Sequence, residues 1–76
     1  MLSKKQEEEA LIKIGRKIRE LREQNSLTQF NLAYDSNLSK NQIGRIERGE
    51  NKISVIAVIK IAKALNVNVK ELFEDF

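Results

Sequence analysis

The sequence predicts an all-α protein, a compact bundle of five short helices in one domain over residues 1–76. Two observations carry this prediction. First, the chain has no proline and only three glycines, so little in it interrupts a helix. Second, one local pattern recurs four times: an apolar residue, a helix-capping residue, and another apolar residue four positions after the cap. That pattern is typical of a hydrophobic staple at the start of a helix.

The first helix is predicted over about residues 6–24, with residues 1–10 as a polar extension at its start. Four apolar residues recur there at helical spacing, namely Leu11, Ile14, Ile18 and Leu21. The polar run Gln24-Asn25-Ser26 ends this helix.

The four staple patterns predict where the later helices begin. They are Leu27-Thr28 with Leu32, Leu38-Ser39 with Ile43, Ile53-Ser54 with Val58, and Val67-Asn68 with Leu72. Ser39 with Gln42 and Asn68 with Glu71 also match capping boxes, while Gly49 and Asn66 are typical helix stops. The predicted helices therefore lie near residues 29–36, 40–48, 55–65 and 69–75.

The second and third predicted helices are short and separated by about three residues. So tight a turn forces the two helices to cross steeply, which is the geometry of a helix-turn-helix unit. Asn37 lies in this turn, where we expect a positive φ that asparagine tolerates better than most residues.

The composition argues against an enzyme and against a resident metal or cofactor, because the chain has no cysteine and no histidine. No apolar run approaches the roughly 18 residues of a membrane span. The first ten residues are polar and acidic, unlike a signal peptide. We therefore expect a cytoplasmic protein with neither a membrane partner nor a small-molecule ligand.

The formal net charge of the chain is +3, and the charged residues are unevenly distributed along it. Residues 13–63 hold eleven basic and five acidic residues, a net charge of +6, whereas the two ends together have a net charge of −3. A basic middle between acidic ends favours a polyanionic partner, although a mixed solvated surface is the alternative interpretation.

Several motifs together resemble one known family. They are Ile14–Arg22, Leu27–Gln29, Leu32-Ala33, Ile43, Arg45–Gly49, Ile61–Leu65 and Asn68–Phe73. In these motifs the chain resembles the phage-repressor and Cro-like helix-turn-helix regulators, the XRE family. The resemblance implies a lambda-repressor-like bundle that binds a palindromic operator in double-stranded DNA as a homodimer and represses or autoregulates transcription. An antitoxin, or a restriction-modification controller with a protein partner, is the alternative function.

The third helix would then supply the base contacts, because its early residues project into the major groove. The predicted base-contacting residues are Ser39, Lys40, Asn41 and Arg45. Arg45 has the fork that matches guanine O6 and N7, and Asn41 can pair with adenine N6 and N7. The alternative is that these residues are only the polar face of a capped helix.

The resemblance also implies phosphate contacts and an internal ion pair. Gln29 opens the second helix, where free backbone N–H groups attract a phosphate, and the matching glutamine of the family binds the DNA backbone. Arg48, Asn51 and Lys52 are the other predicted phosphate contacts. Arg22 and Glu47 match the family's structural salt bridge.

The end of the chain is more apolar than a small core requires. We predict a homodimer interface there, formed by Ile53, Ile56, Val69, Phe73 and Phe76. The alternative is that Phe73 and Phe76 fold back onto the core of their own protomer. Phe30 and Tyr34 lie outside the predicted core stripe, and we expect them to pack under residues 1–10, with a partner contact as the alternative.

Overall fold

A computed structural model describes residues 1–74 and residue 76, and all regular secondary structure among these residues is helical. The α-helices are α1 (Lys4–Gln24), α2 (Gln29–Ser36), α3 (Lys40–Glu47) and α4 (Val55–Ala64), followed by a 3₁₀ helix (Val69–Phe73). The all-α prediction is confirmed, and the predicted bounds of α2, α3 and α4 agree with the structure to within one residue. None of the described helices combines the length and apolarity that crossing a bilayer requires.

The prediction of a fifth α-helix over residues 69–75 is wrong in type. Residues 69–73 form a 3₁₀ helix, and Asp75 lies outside the described residues. A segment of five residues offers too few α-helical hydrogen bonds to offset the cost of nucleating an α-helix, and short segments commonly adopt the 3₁₀ form. Its predicted start is nevertheless confirmed, because the Asn68 side chain accepts a hydrogen bond from the backbone N–H of Lys70.

The predicted caps are confirmed at all four helix starts. The capping side chains are Thr28, Ser39, Ser54 and Asn68. A further capping box joins Ser3 and Gln6, so that α1 begins at Lys4, two residues earlier than predicted. The apolar residues four positions after the predicted caps are all buried, which anchors each helix on the core: Leu32, Ile43, Val58 and Leu72.

The three short connections share one backbone conformation. Each contains a residue at a φ of 57°, namely Ser26, Asn37 and Asn66. The next residue is apolar, and its N–H donates to the carbonyl five positions earlier, as in Leu38 to Ala33 at 2.9 Å. The same apolar residue then precedes the next cap. The positive φ predicted for Asn37 is therefore confirmed as part of a repeated three-residue turn.

Helix α1 crosses α3 at a glycine. A methyl group on Gly15 would lie 2.2 Å from the carbonyl oxygen of Ile46 and 2.7 Å from that of Glu47. Only a residue without a side chain permits so close an approach of the two backbones. The C-terminal end of α3 therefore rests directly on α1.

The expectation that Phe30 and Tyr34 pack under residues 1–10 is wrong. Both residues are exposed, with relative accessibilities of 63% and 81%. Residues 4–10 are the first turns of α1 rather than a tail that folds back, and α2 lies against α3 and α4 instead. The two aromatic residues therefore face solvent on the outer side of the helix-turn-helix.

Candidate nucleic-acid interface

One shallow polar depression brings together side chains from the start of α2 and one face of α3. We call this depression the recognition surface, and it is lined by Gln29, Lys40, Asn41, Gly44, Arg45 and Arg48. Three of these residues are cationic, and no carboxylate is among them. Such a lining suits an anionic partner that also offers hydrogen-bond acceptors and donors.

The periodicity of α3 explains why these residues share a face. Positions 40, 41, 44, 45 and 48 follow the spacing of one side of an α-helix. Ile43 and Ile46 take the opposite side and are buried in the core. The core contact of α3 therefore fixes which side chains point outward.

Three other predicted contact residues lie outside the recognition surface. Ser39 is the N-cap of α3, and its hydroxyl oxygen accepts a hydrogen bond from the N–H of Gln42 at 3.0 Å. Asn51 and Lys52 line a separate depression beyond the end of α3. Lys52 Nζ also lies 3.9 Å from Oε1 of Glu7 on α1, and its side chain is largely exposed.

Behind the recognition surface, Arg22 of α1 is joined to Glu47 of α3. Arg22 Nε donates to Glu47 Oε2 at 2.6 Å, and Nη2 donates to Oε1 at 3.1 Å. The two side chains are only 11% and 3% exposed. The hydrogen bond to Glu47 raises the pKa of Arg22, so the guanidinium remains charged. Nη1 also donates to the carbonyl of Leu27 at 2.8 Å.

The same carboxylate also holds Gln29. Nε2 of Gln29 donates to Glu47 Oε1 at 3.0 Å, so the first residue of α2 is tied to the last residue of α3. The sequence suggested the ion pair and the glutamine as separate features. Their connection through Glu47 could not be read from spacing, because it depends on how α2 and α3 cross.

A second ion pair, which the sequence did not reveal, lies at the edge of the recognition surface. Arg48 Nε donates to Glu50 Oε2 at 2.5 Å, and Nη2 donates to Oε1 at 3.4 Å. The hydrogen bond raises the pKa of Arg48 and lowers that of Glu50. Both side chains are exposed. The two residues flank the turn at Gly49, where helical periodicity gives no signal.

Exposed apolar side chains also lie on α4 and at the end of the chain, where Phe76 lines a depression with residues of α1 such as Ala10 and Lys13. These exposed side chains are Val55, Ile56, Ile59, Phe73 and Phe76. The rings of Phe73 and Phe76 lie 6.1 Å apart, and Lys13 Nζ lies 5.5 Å from the ring centre of Phe76. Of the residues predicted for a dimer interface, Ile53 and Val69 are partly buried against the protomer's own core. The other three remain accessible.

Comparison with known proteins gives the same family from sequence and from structure. A helix-turn-helix family model matches residues 18–72. The control protein C.BamHI of Bacillus amyloliquefaciens is 36% identical over 61 residues, which cover 79% of this chain and 75% of the relative.

Two solved structures resemble this fold closely. The restriction-modification controller protein C.AhdI from Aeromonas hydrophila has a TM-score of 0.82 and 40% identity, covering 83% of this chain and 96% of its own. The controller protein C.Esp1396I, solved as a tetramer in complex with its natural 35 base-pair operator, has a TM-score of 0.79 and 33% identity. That alignment covers 87% of each chain.

Proposed function

We propose that this chain, which belongs to the XRE-type helix-turn-helix family, is a sequence-specific DNA-binding transcriptional regulator. The recognition surface is the observation that carries the proposal. It presents three cations and two amides around α3, and the buried side of the same helix is fixed by Ile43 and Ile46. A rigid helix with these groups on its free face fits the major groove of B-DNA.

In the proposed complex the residues of the recognition surface divide into two roles. Asn41 and Arg45 read base edges, as an amide on adenine and a guanidinium fork on guanine, and Lys40 contacts a base or a phosphate. Gln29 binds a backbone phosphate at the start of α2, where backbone N–H groups point outward. Contacts of this second kind position the protein without reading the sequence.

The regulator is proposed to bind as a homodimer on a palindromic operator. The accessible apolar residues Ile56, Phe73 and Phe76 would be covered by the same surface of a second copy. One helix-turn-helix reaches about one half-site, so two copies are needed for the affinity typical of an operator. The tetramer of C.Esp1396I in complex with its operator supports binding by more than one copy.

The genes under control are proposed to be those of a restriction-modification system, with the protein working at DNA in the cytoplasm. The names of the similar proteins support this, since they are control proteins of such systems. The proposed role is not enzymatic. An antitoxin function, the other alternative, gains no support from these relatives.

Selection of bound duplexes from a random pool tests the proposal directly. We expect enrichment of one palindromic sequence whose half-site centres lie about one helical turn, roughly 34 Å, apart. The matched control is an Arg45→Glu variant, which should enrich no sequence while keeping the wild-type circular dichroism spectrum. Failure of the wild-type protein to enrich any sequence would refute sequence-specific binding.

A further inference from the structure

The side chain of Arg48 lies over Gly44, one helical turn earlier in the chain. A methyl group on Gly44 would lie 3.1 Å from Arg48 Nη1 and 3.7 Å from Gln29 Oε1. Side chains on a helix lean toward its N-terminus, so a residue at position 48 covers position 44. Because Gly44 has no side chain, the guanidinium of Arg48 has room to lie beside position 44 at the recognition surface.

Glu50 holds one edge of that guanidinium and leaves the other edge open. Its carboxylate accepts hydrogen bonds from Nε and Nη2 of Arg48. A guanidinium has five N–H groups, so both hydrogens of Nη1 and the second hydrogen of Nη2 remain. Nη1 is the nitrogen that lies beside Gly44. The open edge is therefore a planar fork at the recognition surface.

We infer that Gly44 and Glu50 are positioning residues that aim the open fork of Arg48 at a pair of acceptors on DNA. The inference rests on the proposed function. Gly44 supplies the space, and Glu50 fixes the plane of the guanidinium before DNA arrives. A side chain already held in its bound orientation loses less entropy on binding, and a planar fork gains most from such fixing. The acceptors are either a guanine edge or two phosphate oxygens.

The direction in which DNA affinity changes when Glu50 is neutralised separates this positioning role from two simpler roles for Glu50. As a bystander charge, Glu50 would repel the phosphates, so its neutralisation would tighten binding whether or not Arg48 is present. As a competitor of DNA for Arg48, Glu50 would also weaken binding, and its removal would tighten it only when Arg48 is present. For a positioning residue the change in affinity has the opposite sign, because its removal weakens DNA binding even though a negative charge is lost.

The experiment measures dissociation constants of Glu50→Gln with two duplexes at fixed salt. One duplex is the sequence that the wild-type protein selects from a random pool, and the other is a scrambled sequence of the same composition. We expect a roughly threefold loss of affinity in the variant. A loss confined to the selected duplex assigns the fork to guanine, and an equal loss on both duplexes assigns it to phosphate. The matched control is Glu23→Gln, which neutralises the exposed partner of Arg19 on α1 and should cause no loss.

Double-mutant cycles show whether Gly44 and Glu50 both act through Arg48. Arg48→Ala alone should weaken binding on the order of tenfold. In that background Glu50→Gln and Gly44→Ala should cause no further loss, whereas Gly44→Ala in the wild-type background should weaken binding. Tighter binding by Glu50→Gln, or losses that persist without Arg48, would overturn the inference. If the wild-type protein selects no duplex, the proposed function fails instead, so the two failures are distinguishable.

Discussion

Arg22 and Glu47 lie 25 positions apart in the chain, yet they form a two-bond ion pair that is almost fully buried. Removing one partner would leave the other charge buried without compensation. Arg22→Ala or Glu47→Ala is therefore expected to lower the free energy of unfolding by about 3 kcal/mol. Thermal melts of the two single variants measure this loss, and unchanged midpoints would contradict it.

An exposed ion pair on the same helix provides the control for this prediction. Arg19 and Glu23 are 3.4 Å apart and well exposed, so Arg19→Ala should leave the melting temperature near that of the wild type. Replacing Arg22 and Glu47 together by Met and Leu removes both charges at once. We expect this double variant to be more stable than either single alanine variant.

The same substitution at two helical glycines should change stability in opposite directions. At Gly15 an added methyl group meets backbone carbonyls of α3, so α1 and α3 must separate, and Gly15→Ala should destabilise the fold by about 1–3 kcal/mol. At Gly44 it meets only the ends of the Arg48 and Gln29 side chains and no backbone, and Gly44→Ala should stabilise α3 by about 0.5–1 kcal/mol. Urea denaturation of both variants checks the two signs, and equal shifts would contradict the role of Gly15.

Local signals predicted most of the fold. The caps Thr28 and Ser39 were readable because a capping side chain and the apolar residue after it are close in sequence. The 3₁₀ form of residues 69–73 was not readable, since the same cap can begin either type of helix. The exposure of Phe30 and Tyr34 could not be predicted, because it depends on whether residues 1–10 continue α1 or fold back over α2.

Helical periodicity predicted only the part of the recognition surface that lies on one helix. Lys40, Asn41 and Arg45 share a face by spacing alone. The bond between Gln29 and Glu47 depends on the crossing of two helices, and the contact between Arg48 and Glu50 depends on a turn outside any helix. Gly15 did offer a signal, because a glycine among the buried positions of a long helix costs stability and calls for a packing reason.

The turn between α2 and α3 should tolerate glycine better than alanine at position 37. Asn37 has a φ of 57°, which is costly for residues with a Cβ other than asparagine and aspartate. We expect Asn37→Ala to lower stability by about 1 kcal/mol and Asn37→Gly to change it by less than about 0.5 kcal/mol. Urea denaturation measures both changes, and the control is Asp35→Ala at an exposed position of α2. Equal stability of the alanine and glycine variants would rule out a demand of the turn for positive φ.

Arg45 and Lys52 should differ in what their removal does to DNA binding. Arg45 faces the recognition surface, so Arg45→Ala should reduce discrimination at one base pair by about 1–3 kcal/mol. Lys52 lies outside that surface and is predicted to contact only a phosphate. Lys52→Ala should therefore weaken binding to all duplexes alike and reduce the slope of log affinity against log salt by about one. Titrations of selected and scrambled duplexes at several salt concentrations check both. An equal effect of Arg45→Ala on the two duplexes would exclude base reading by Arg45.

The exposed apolar residues of α4 predict that one substitution will abolish dimerisation. Ile56 is 62% exposed, and a carboxylate there would be placed twice in a symmetric contact, once from each copy. We expect the wild-type protein to sediment at equilibrium as twice 8.8 kDa at micromolar concentration and Ile56→Glu to sediment as 8.8 kDa. Phe30→Glu is the matched control, because Phe30 is 63% exposed but lies on α2, and this variant should remain dimeric. A wild-type protein of 8.8 kDa that binds isolated half-sites as tightly as full palindromes would contradict the dimer, because a dimer gains its affinity from engaging two half-sites at once.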